Sequence, residues 1–258
     1  DVLLEDVELF KDFLVLSERK NGLTQLRVID VRGDQQVSPG AKAAELTEGL
    51  TEWKEHYLEL QGEAYMAYAS QNPEFDTQLL RFGYQSMTTP ASTFDYDMVS
   101  KENTLLKQQP VLGDFDAANY ASERRFSESG DGAQGPLSIV YRKGTKKDGS
   151  APLLLYAYGS YGHSMDPYFS MARLALLDRG FIYVIAHIRG GEEMGRHWYE
   201  DGKLLKKKNT FTDFIDAGEW LIANDYTSKS GLYAMGGSAG GLLMGAIANM
   251  RPDLWAGS

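Results

Sequence analysis

Cysteine is absent from this chain of 258 residues. Its absence excludes disulfides, thiolate metal sites and a cysteine nucleophile, and it fits a reducing, cytoplasmic compartment. Long apolar runs are also lacking, since no stretch approaches the ~18 uninterrupted apolar residues of a membrane span. The N-terminal segment 1–10 is acidic and periodic, unlike a signal peptide. We therefore expect no membrane partner.

Positive charge is scarce as well. The chain has 26 Lys and Arg against 36 Asp and Glu, which gives a formal net charge of −10. This balance argues against nucleic acid and anionic membranes as partners. The hydrophobic content of 43% and the charged content of 24% are ordinary for a soluble globular protein with one large domain or two smaller ones.

The most informative stretch is 232–249. A short apolar run ends at Gly236 and Gly237, Ser238 follows, and a run of helical character begins after it. The pattern Gly-x-Ser-x-Gly between a strand and a helix is typical of the nucleophile turn of α/β-hydrolases. Glycine suits such a turn because a Cβ beside it would collide with the neighbouring strand and helix. Ser238 is therefore the candidate nucleophile, and the backbone N–H of Ala239 is the expected first oxyanion donor.

The first part of the chain predicts short antiparallel strands joined by tight turns. The segments 13–20 and 23–31 flank Asn21-Gly22, a dipeptide that favours a type I′ hairpin turn. Two further hairpins are predicted over 64–84 and 93–109. Regular short strands fit propeller blades, a sandwich or a plain β-meander, and these alternatives remain open at this point.

Beyond residue 110 the pattern changes to apolar strands that alternate with helical segments. Strands are predicted at 153–158, 181–186 and 232–235, and helices at 171–177 and 211–222. This alternation is typical of a mostly parallel sheet with flanking helices. We expect a β-rich part over residues 1–110 and an α/β part over residues 111–258.

A second oxyanion donor should lie on a loop after an earlier strand. The segment 156–162 follows an apolar strand and contains Tyr158, Gly159 and Gly162. Its glycines allow a backbone to approach a substrate closely, and the Tyr158 hydroxyl can donate a hydrogen bond. By residue type alone, these tyrosines fit aromatic packing at a strand end better.

The histidine of a catalytic triad has no clear candidate. In α/β-hydrolases the order along the chain is Ser, then Asp or Glu, then His, but His56, His163, His187 and His197 all precede Ser238. We expect His187 to be a core residue, and His163 is the better of two poor candidates for the base. We expect the base to lie beyond residue 258, so that the chain is a fragment of a longer protein. The fragment alone should be inactive.

Two further motifs predict structure rather than chemistry. The Gly-rich segment 189–195 lacks the pattern of a phosphate loop, and we expect Arg189 to pair there with a neighbouring glutamate. The basic run Lys203–Lys208 precedes a helix, and we expect a solvated loop rather than a nucleic-acid site.

Taken together, the segments 156–162, 188–195, 198–211, 233–241 and 249–254 resemble the prolyl oligopeptidase family of serine peptidases, and most closely its oligopeptidase B branch. The resemblance covers about 100 residues of the second half, and the segment 202–211 favours that branch. Segments before residue 110 resemble the last part of the family's β-propeller.

The resemblance implies a partial α/β-hydrolase domain preceded by the last blades of an all-β propeller, with an active site between the two. It implies short peptides as substrates, cleavage after Lys or Arg, and no cofactor or metal. Ser238 matches the nucleophile, and Tyr158 with the Ala239 N–H matches the oxyanion donors. Asp166 matches one of two acidic residues that help to bind basic side chains, whereas Tyr168 stands at the second position.

Three other functions are compatible with the same residues. The protein could be a post-proline oligopeptidase, an esterase-like acyl hydrolase, or a non-catalytic binding module built on a propeller. The sequence after residue 258 would separate the enzymes from the binding module, because an enzyme needs an Asp and a His there.

Overall fold

The computed structural model describes residues 2–32 and 54–258. The intervening segment, which the sequence leaves without a clear assignment, lies outside the described residues. Three β-sheets and four α-helices organise the described part of the chain.

The first sheet is four-stranded and antiparallel, with its strands side by side in chain order. The strands are β1 (Leu3–Leu9), β2 (Phe13–Lys20), β3 (Leu23–Asp30) and β4 (Lys54–Tyr57). The predicted turn is present, because Asn21 and Gly22 both adopt positive φ, at 52° and 78°. Only residues that tolerate this conformation allow a two-residue hairpin to follow the twist of its strands.

The second sheet repeats this arrangement. Its strands are β5 (Tyr65–Ala69), β6 (Leu79–Ser86), β7 (Ser92–Asp97) and β8 (Asn103–Gln108). Apolar side chains from both sheets form one buried cluster, which includes Phe13, Leu26, Leu80 and Phe82. Consecutive four-stranded sheets that pack face to face are the blades of a β-propeller, as the resemblance implied.

The third sheet contains five strands in the order β13-β11-β12-β10-β9. They are β9 (Tyr120–Glu128), β10 (Gln134–Arg142), β11 (Leu153–Tyr156), β12 (Ile182–Ala186) and β13 (Leu232–Met235). The strands β12, β11 and β13 are parallel, and the β9–β10 hairpin extends the sheet with antiparallel pairings. All five residues of β12 are buried, as expected of a strand covered on both faces.

Helices cover the two faces of this sheet. They are α1 (Met171–Leu177), α2 (Arg196–Glu200), α3 (Lys208–Ala223) and α4 (Ala239–Met250), with short 3-10 turns at Ala117–Asn119 and Leu204–Lys206. Phe214 of α3 and Leu243 of α4 pack into the larger core cluster, whereas Leu177 of α1 packs against the opposite face. This is the α/β-hydrolase arrangement, and it confirms the predicted fold class.

None of the helices in the described residues combines the length and the apolar character that a membrane span requires.

Candidate active site

Ser238 occupies a sharp turn between β13 and α4. Its backbone angles are φ 55° and ψ −118°, a conformation that L-residues rarely adopt and that costs on the order of 1–3 kcal/mol. The side chain is exposed, and its hydroxyl makes no hydrogen bond to the described residues, so it does not cap the helix. The turn therefore presents a free hydroxyl to solvent.

Close backbone contact explains the glycine pattern at this turn. A Cβ at Gly236 would lie 2.5 Å from the carbonyl oxygen of Gly240, and a Cβ at Gly240 would lie 3.1 Å from that of Ala157. By contrast, a Cβ at Gly237 would meet no atom of residues 2–32 and 54–258 within 4 Å. Gly236 is therefore the glycine that the geometry of the turn requires most.

Sheet register brings Tyr158 to the same edge as Ser238. Tyr156 of β11 pairs with Met235 of the parallel strand β13, so the two strands end side by side at the same edge of the sheet. A Cβ at Gly240 would lie 3.8 Å from the Tyr158 Cα, which shows that the tyrosine backbone packs against the first turn of α4. The half-buried Tyr158 ring packs edge-on against the His163 ring, with 5.5 Å between the ring centres.

The backbone N–H of Ala239 lies at the same edge of the sheet, at the start of α4. The next two amides are used within the turn, because Gly240 donates to Gly237 and Gly241 donates to the Ser238 carbonyl, at 2.7 and 2.8 Å. In the described part of the chain, the Ala239 N–H has no acceptor. An amide at the start of a helix that follows a nucleophile is suited to bind an oxyanion.

The four histidines all lie in the described residues, and none is hydrogen-bonded to Ser238. His56 contacts Tyr96 of the propeller at 2.7 Å. His187 is buried, as predicted for a core residue, with Nε2 2.7 Å from Ser138 Oγ. His197 is exposed on α2.

Comparison with known proteins identifies the family of this chain. The family model for the N-terminal β-propeller domain of prolyl oligopeptidase matches residues 1–109, and the model for the prolyl oligopeptidase family matches residues 167–258. The chain belongs to the prolyl oligopeptidase family. Ser238 lies within residues 167–258, the part of the chain that the second of these models matches.

The chain is similar to several peptidases that are about three times as long. Over 254 residues the chain is 48% identical to dipeptidyl aminopeptidase BI from Pseudoxanthomonas mexicana, a match that covers 98% of this chain and 32% of that protein. Oligopeptidase B from Leishmania major is 42% identical with a TM-score of 0.85, covering 99% of this chain and 34% of that one. A closed form of oligopeptidase B from Trypanosoma brucei, with covalently bound antipain, is 40% identical with a TM-score of 0.84, covering 99% and 35%. The chain thus spans about a third of the length of the curated relatives it matches.

Asp166 of this oligopeptidase-family chain lies at the contact between its two parts. Its carboxylate accepts two hydrogen bonds from Arg19 of β2, at 2.6 and 3.2 Å. The Arg19 Nε donates to Glu5 at 2.7 Å, and the Arg19 side chain is only 4% exposed. Although burial lowers the pKa of Arg19, the hydrogen bonds and charges of Asp166 and Glu5 raise it above its ordinary value.

An open cavity of about 470 Å³ adjoins this ion pair. Its lining includes Glu5, Arg19, His163, Asp166 and Glu192, so residues from both parts of the chain meet there. Asp166 thus faces the space between the propeller and the hydrolase parts, but a propeller arginine already binds its carboxylate. The sequence carries no local signal for this contact, because Arg19 and Asp166 are 147 positions apart along the chain.

Arg189 does not pair with a neighbouring glutamate, contrary to the prediction. Its guanidinium binds Asp213 of α3 and Asp131 of the β9–β10 turn, each through two hydrogen bonds. Glu192 instead pairs with Arg196 on the next helix, at 2.7 Å. The predicted pairing with a neighbouring glutamate was wrong because the fold places two aspartates that are distant in sequence beside the buried Arg189.

The basic run Lys203–Lys208 is not uniformly solvated either. Lys206 is exposed, as expected, but the half-buried Lys207 donates hydrogen bonds to the Gly159 carbonyl and to Ser160 Oγ. Burial lowers the pKa of Lys207. A run of lysines carries no local signal that would single out one of its members for such a contact.

Proposed function

We propose that the protein carrying this chain is a serine oligopeptidase that hydrolyses short peptides on the carboxyl side of Lys or Arg. The single observation that supports catalysis most strongly is the exposed Ser238 at φ 55°, with Tyr158 and the Ala239 N–H at the same sheet edge. The proposed division into a propeller part, 1–110, and a hydrolase part, 111–258, puts the substrate between them. A cytoplasmic location is part of the same proposal.

In the proposed reaction, Ser238 Oγ forms a bond to the carbonyl carbon of the scissile peptide while a general base takes its proton. The carbonyl oxygen becomes an oxyanion, which accepts hydrogen bonds from the Tyr158 hydroxyl and the Ala239 N–H. Collapse of this intermediate breaks the C–N bond, and the base returns the proton to the leaving amine. Water then cleaves the acyl-enzyme by the same steps.

The base is assigned outside this chain. Since none of its four histidines is hydrogen-bonded to Ser238, the proposal places the triad histidine and its acidic partner beyond residues 1–258. The chain alone should then hydrolyse no peptide. We call the protein that contains this chain together with the triad histidine and its acidic partner the full-length peptidase.

Selectivity for basic residues is supported by the oligopeptidase B relatives and by the acidic lining of the interdomain cavity. Carboxylates pair well with a guanidinium in a site shielded from water. We propose that Asp166 contributes to binding a basic side chain at a subsite beyond the cleaved residue. Its primary partner in the structure is Arg19, so a substrate cation would share or displace that contact.

Release of dipeptides from a free N-terminus is a second candidate function. It is favoured by the 48% identity to an enzyme named dipeptidyl aminopeptidase BI. The two functions differ in whether the substrate needs an unblocked α-amino group.

The test compares chromogenic peptides that end in Arg, Lys or Pro, each with a free and a blocked N-terminus, on the full-length peptidase. We expect hydrolysis after Arg and Lys with either terminus, and a loss of about 10⁶-fold in kcat for Ser238→Ala. Preferred cleavage after Pro would contradict the basic selectivity, and a strict need for a free terminus would favour dipeptide release. Full activity of Ser238→Ala would overturn the reaction itself.

A further inference from the structure

Lys207 is the member of its basic run that reaches the edge of the candidate active site. Its ammonium donates to the Gly159 carbonyl and, at 2.8 Å, to Ser160 Oγ. These acceptors are the first two residues after Tyr158. Ser160 is only 8% exposed, so the contact lies at the base of the loop rather than at its surface.

The neighbouring lysines behave differently. Lys203 forms an ion pair with Glu200 at 2.5 Å, and Lys206 forms one with Asp201 at 2.6 Å. Among the described residues, Lys207 has no carboxylate partner. A half-buried ammonium without a counter-charge is unfavourable for folding, which points to a role in the site rather than in stability.

The loop that Lys207 contacts has little freedom elsewhere. Gly159 has φ +64°, and a Cβ there would lie 2.6 Å from Thr210 Cγ2. On the other side, a Cβ at Gly190 would lie 2.1 Å from the Gly159 carbonyl oxygen, and Gly162 donates to the Gly190 carbonyl at 2.9 Å. The segment after Tyr158 is thus held between the Gly190 turn and the start of α3.

We propose that Lys207 is a positioning residue for the oxyanion hole, because it fixes the Gly159–Ser160 backbone and through it the hydroxyl of Tyr158. This inference rests on the proposed function of Tyr158. The donor must lie where charge develops on the substrate carbonyl oxygen, and a misplacement of about 1 Å can cost on the order of 10²-fold in rate. Lys207 itself does not touch the substrate.

The effect should fall on the chemical step. Without the ammonium, the Gly159 carbonyl and Ser160 hydroxyl lose their common donor, and the loop can relax away from the first turn of α4. We expect Lys207→Met to lower kcat by about 10- to 100-fold and to change KM less than threefold. Lys207→Arg, which keeps the charge and several donors, should recover at least part of the loss.

The deciding experiment is a double-mutant cycle between Lys207→Met and Tyr158→Phe in the full-length peptidase, measured with a blocked Arg substrate. Tyr158→Phe should lower kcat by about 10²- to 10³-fold, as loss of one oxyanion donor does. If Lys207 acts through Tyr158, adding Lys207→Met to Tyr158→Phe should lower kcat by less than threefold more.

Lys208→Met is the matched control, since Lys208 is the exposed neighbour, and it should keep wild-type kcat. Circular dichroism verifies the fold of each variant, and Lys207→Gln takes the place of Lys207→Met should the latter misfold. Losses that multiply in the double variant, or a loss confined to KM, would overturn the role of Lys207 and leave Tyr158 in place. Wild-type kcat in Tyr158→Phe would instead overturn the proposed oxyanion donor, and the inference with it.

Discussion

The ion-pair network of Arg189 allows a sharp prediction, because one guanidinium binds a buried and an exposed carboxylate. The Asp213 side chain is 3% exposed and accepts from Arg189 Nε at 2.8 Å, from Arg189 Nη2 at 2.6 Å and from Ser129 Oγ at 2.8 Å. It also accepts from the Arg189 backbone N–H at 3.0 Å. The other partner, Asp131, is 51% exposed although it too makes two hydrogen bonds to Arg189.

Asp213→Asn removes the charge from the buried partner with almost no change in volume. It leaves a guanidinium that is 6% exposed beside a neutral amide, and breaking a buried pair in this way costs about 3–5 kcal/mol of unfolding free energy. Asp131→Asn removes the same charge from an exposed partner, for which about 0–1 kcal/mol is expected. The hydrogen bonds and charges of Asp213 and Asp131 raise the pKa of Arg189. Its guanidinium stays charged in both variants because an arginine side chain is not deprotonated in proteins.

Urea unfolding followed by tryptophan fluorescence measures both costs. Trp198 is a local probe, since the Arg189 guanidinium lies 5.9 Å from its ring centre. We expect a large drop in the urea midpoint for Asp213→Asn and almost none for Asp131→Asn, with no change in the slope of the unfolding free energy against urea concentration. Similar costs for both variants, or less than about 1 kcal/mol for Asp213→Asn, would refute it.

Three further predictions concern the interdomain contact, the serine turn and pH. Asp166→Ala should cost about 3 kcal/mol in urea unfolding because it removes one of the two carboxylates that bind Arg19, whose side chain is 4% exposed, and leaves Glu5 as the other. A cost under about 1 kcal/mol would contradict this. Gly236→Ala should destabilise by about 1–3 kcal/mol through overpacking, whereas Gly237→Ala, with open space around its Cβ, should have a much smaller effect in the same assay. Burial, and then the charge of a nearby lysine, lowers the pKa of His56 below its ordinary value of 6.5. Folding therefore favours the neutral form of His56. The free energy of unfolding should fall as the pH drops from about 6.5 through the pKa of His56 in the folded protein. In a profile of melting temperature against pH, His56→Gln should flatten that part of the curve.

Local sequence patterns predicted the elements well. The hairpin turn at Asn21-Gly22 follows from the positive φ that these two residues tolerate, and the strand–turn–helix at Ser238 follows from glycines that only a close backbone approach explains. Such features depend on residues that are adjacent in sequence. They can therefore be predicted without knowledge of the distant residues that pack around them.

The surroundings of the site could not be predicted in this way. Arg19 and Asp166 are 147 positions apart, Lys207 and Gly159 are 48 apart, and Arg189 and Asp131 are 58 apart. A charged side chain in sequence does not specify which of many opposite charges or carbonyls it will meet, because any of them can satisfy it. Burial and sheet register make that choice.

By itself, the sequence determined the nucleophile turn, the succession of hairpins, and the change from a β-rich part to an α/β part. Only the tertiary structure decided that a propeller arginine binds Asp166, that two aspartates hold Arg189, and that one lysine of a basic run supports the loop after Tyr158. Periodicity and turn chemistry act over a few residues, whereas these contacts form when parallel strands end at a common edge and bring distant loops together.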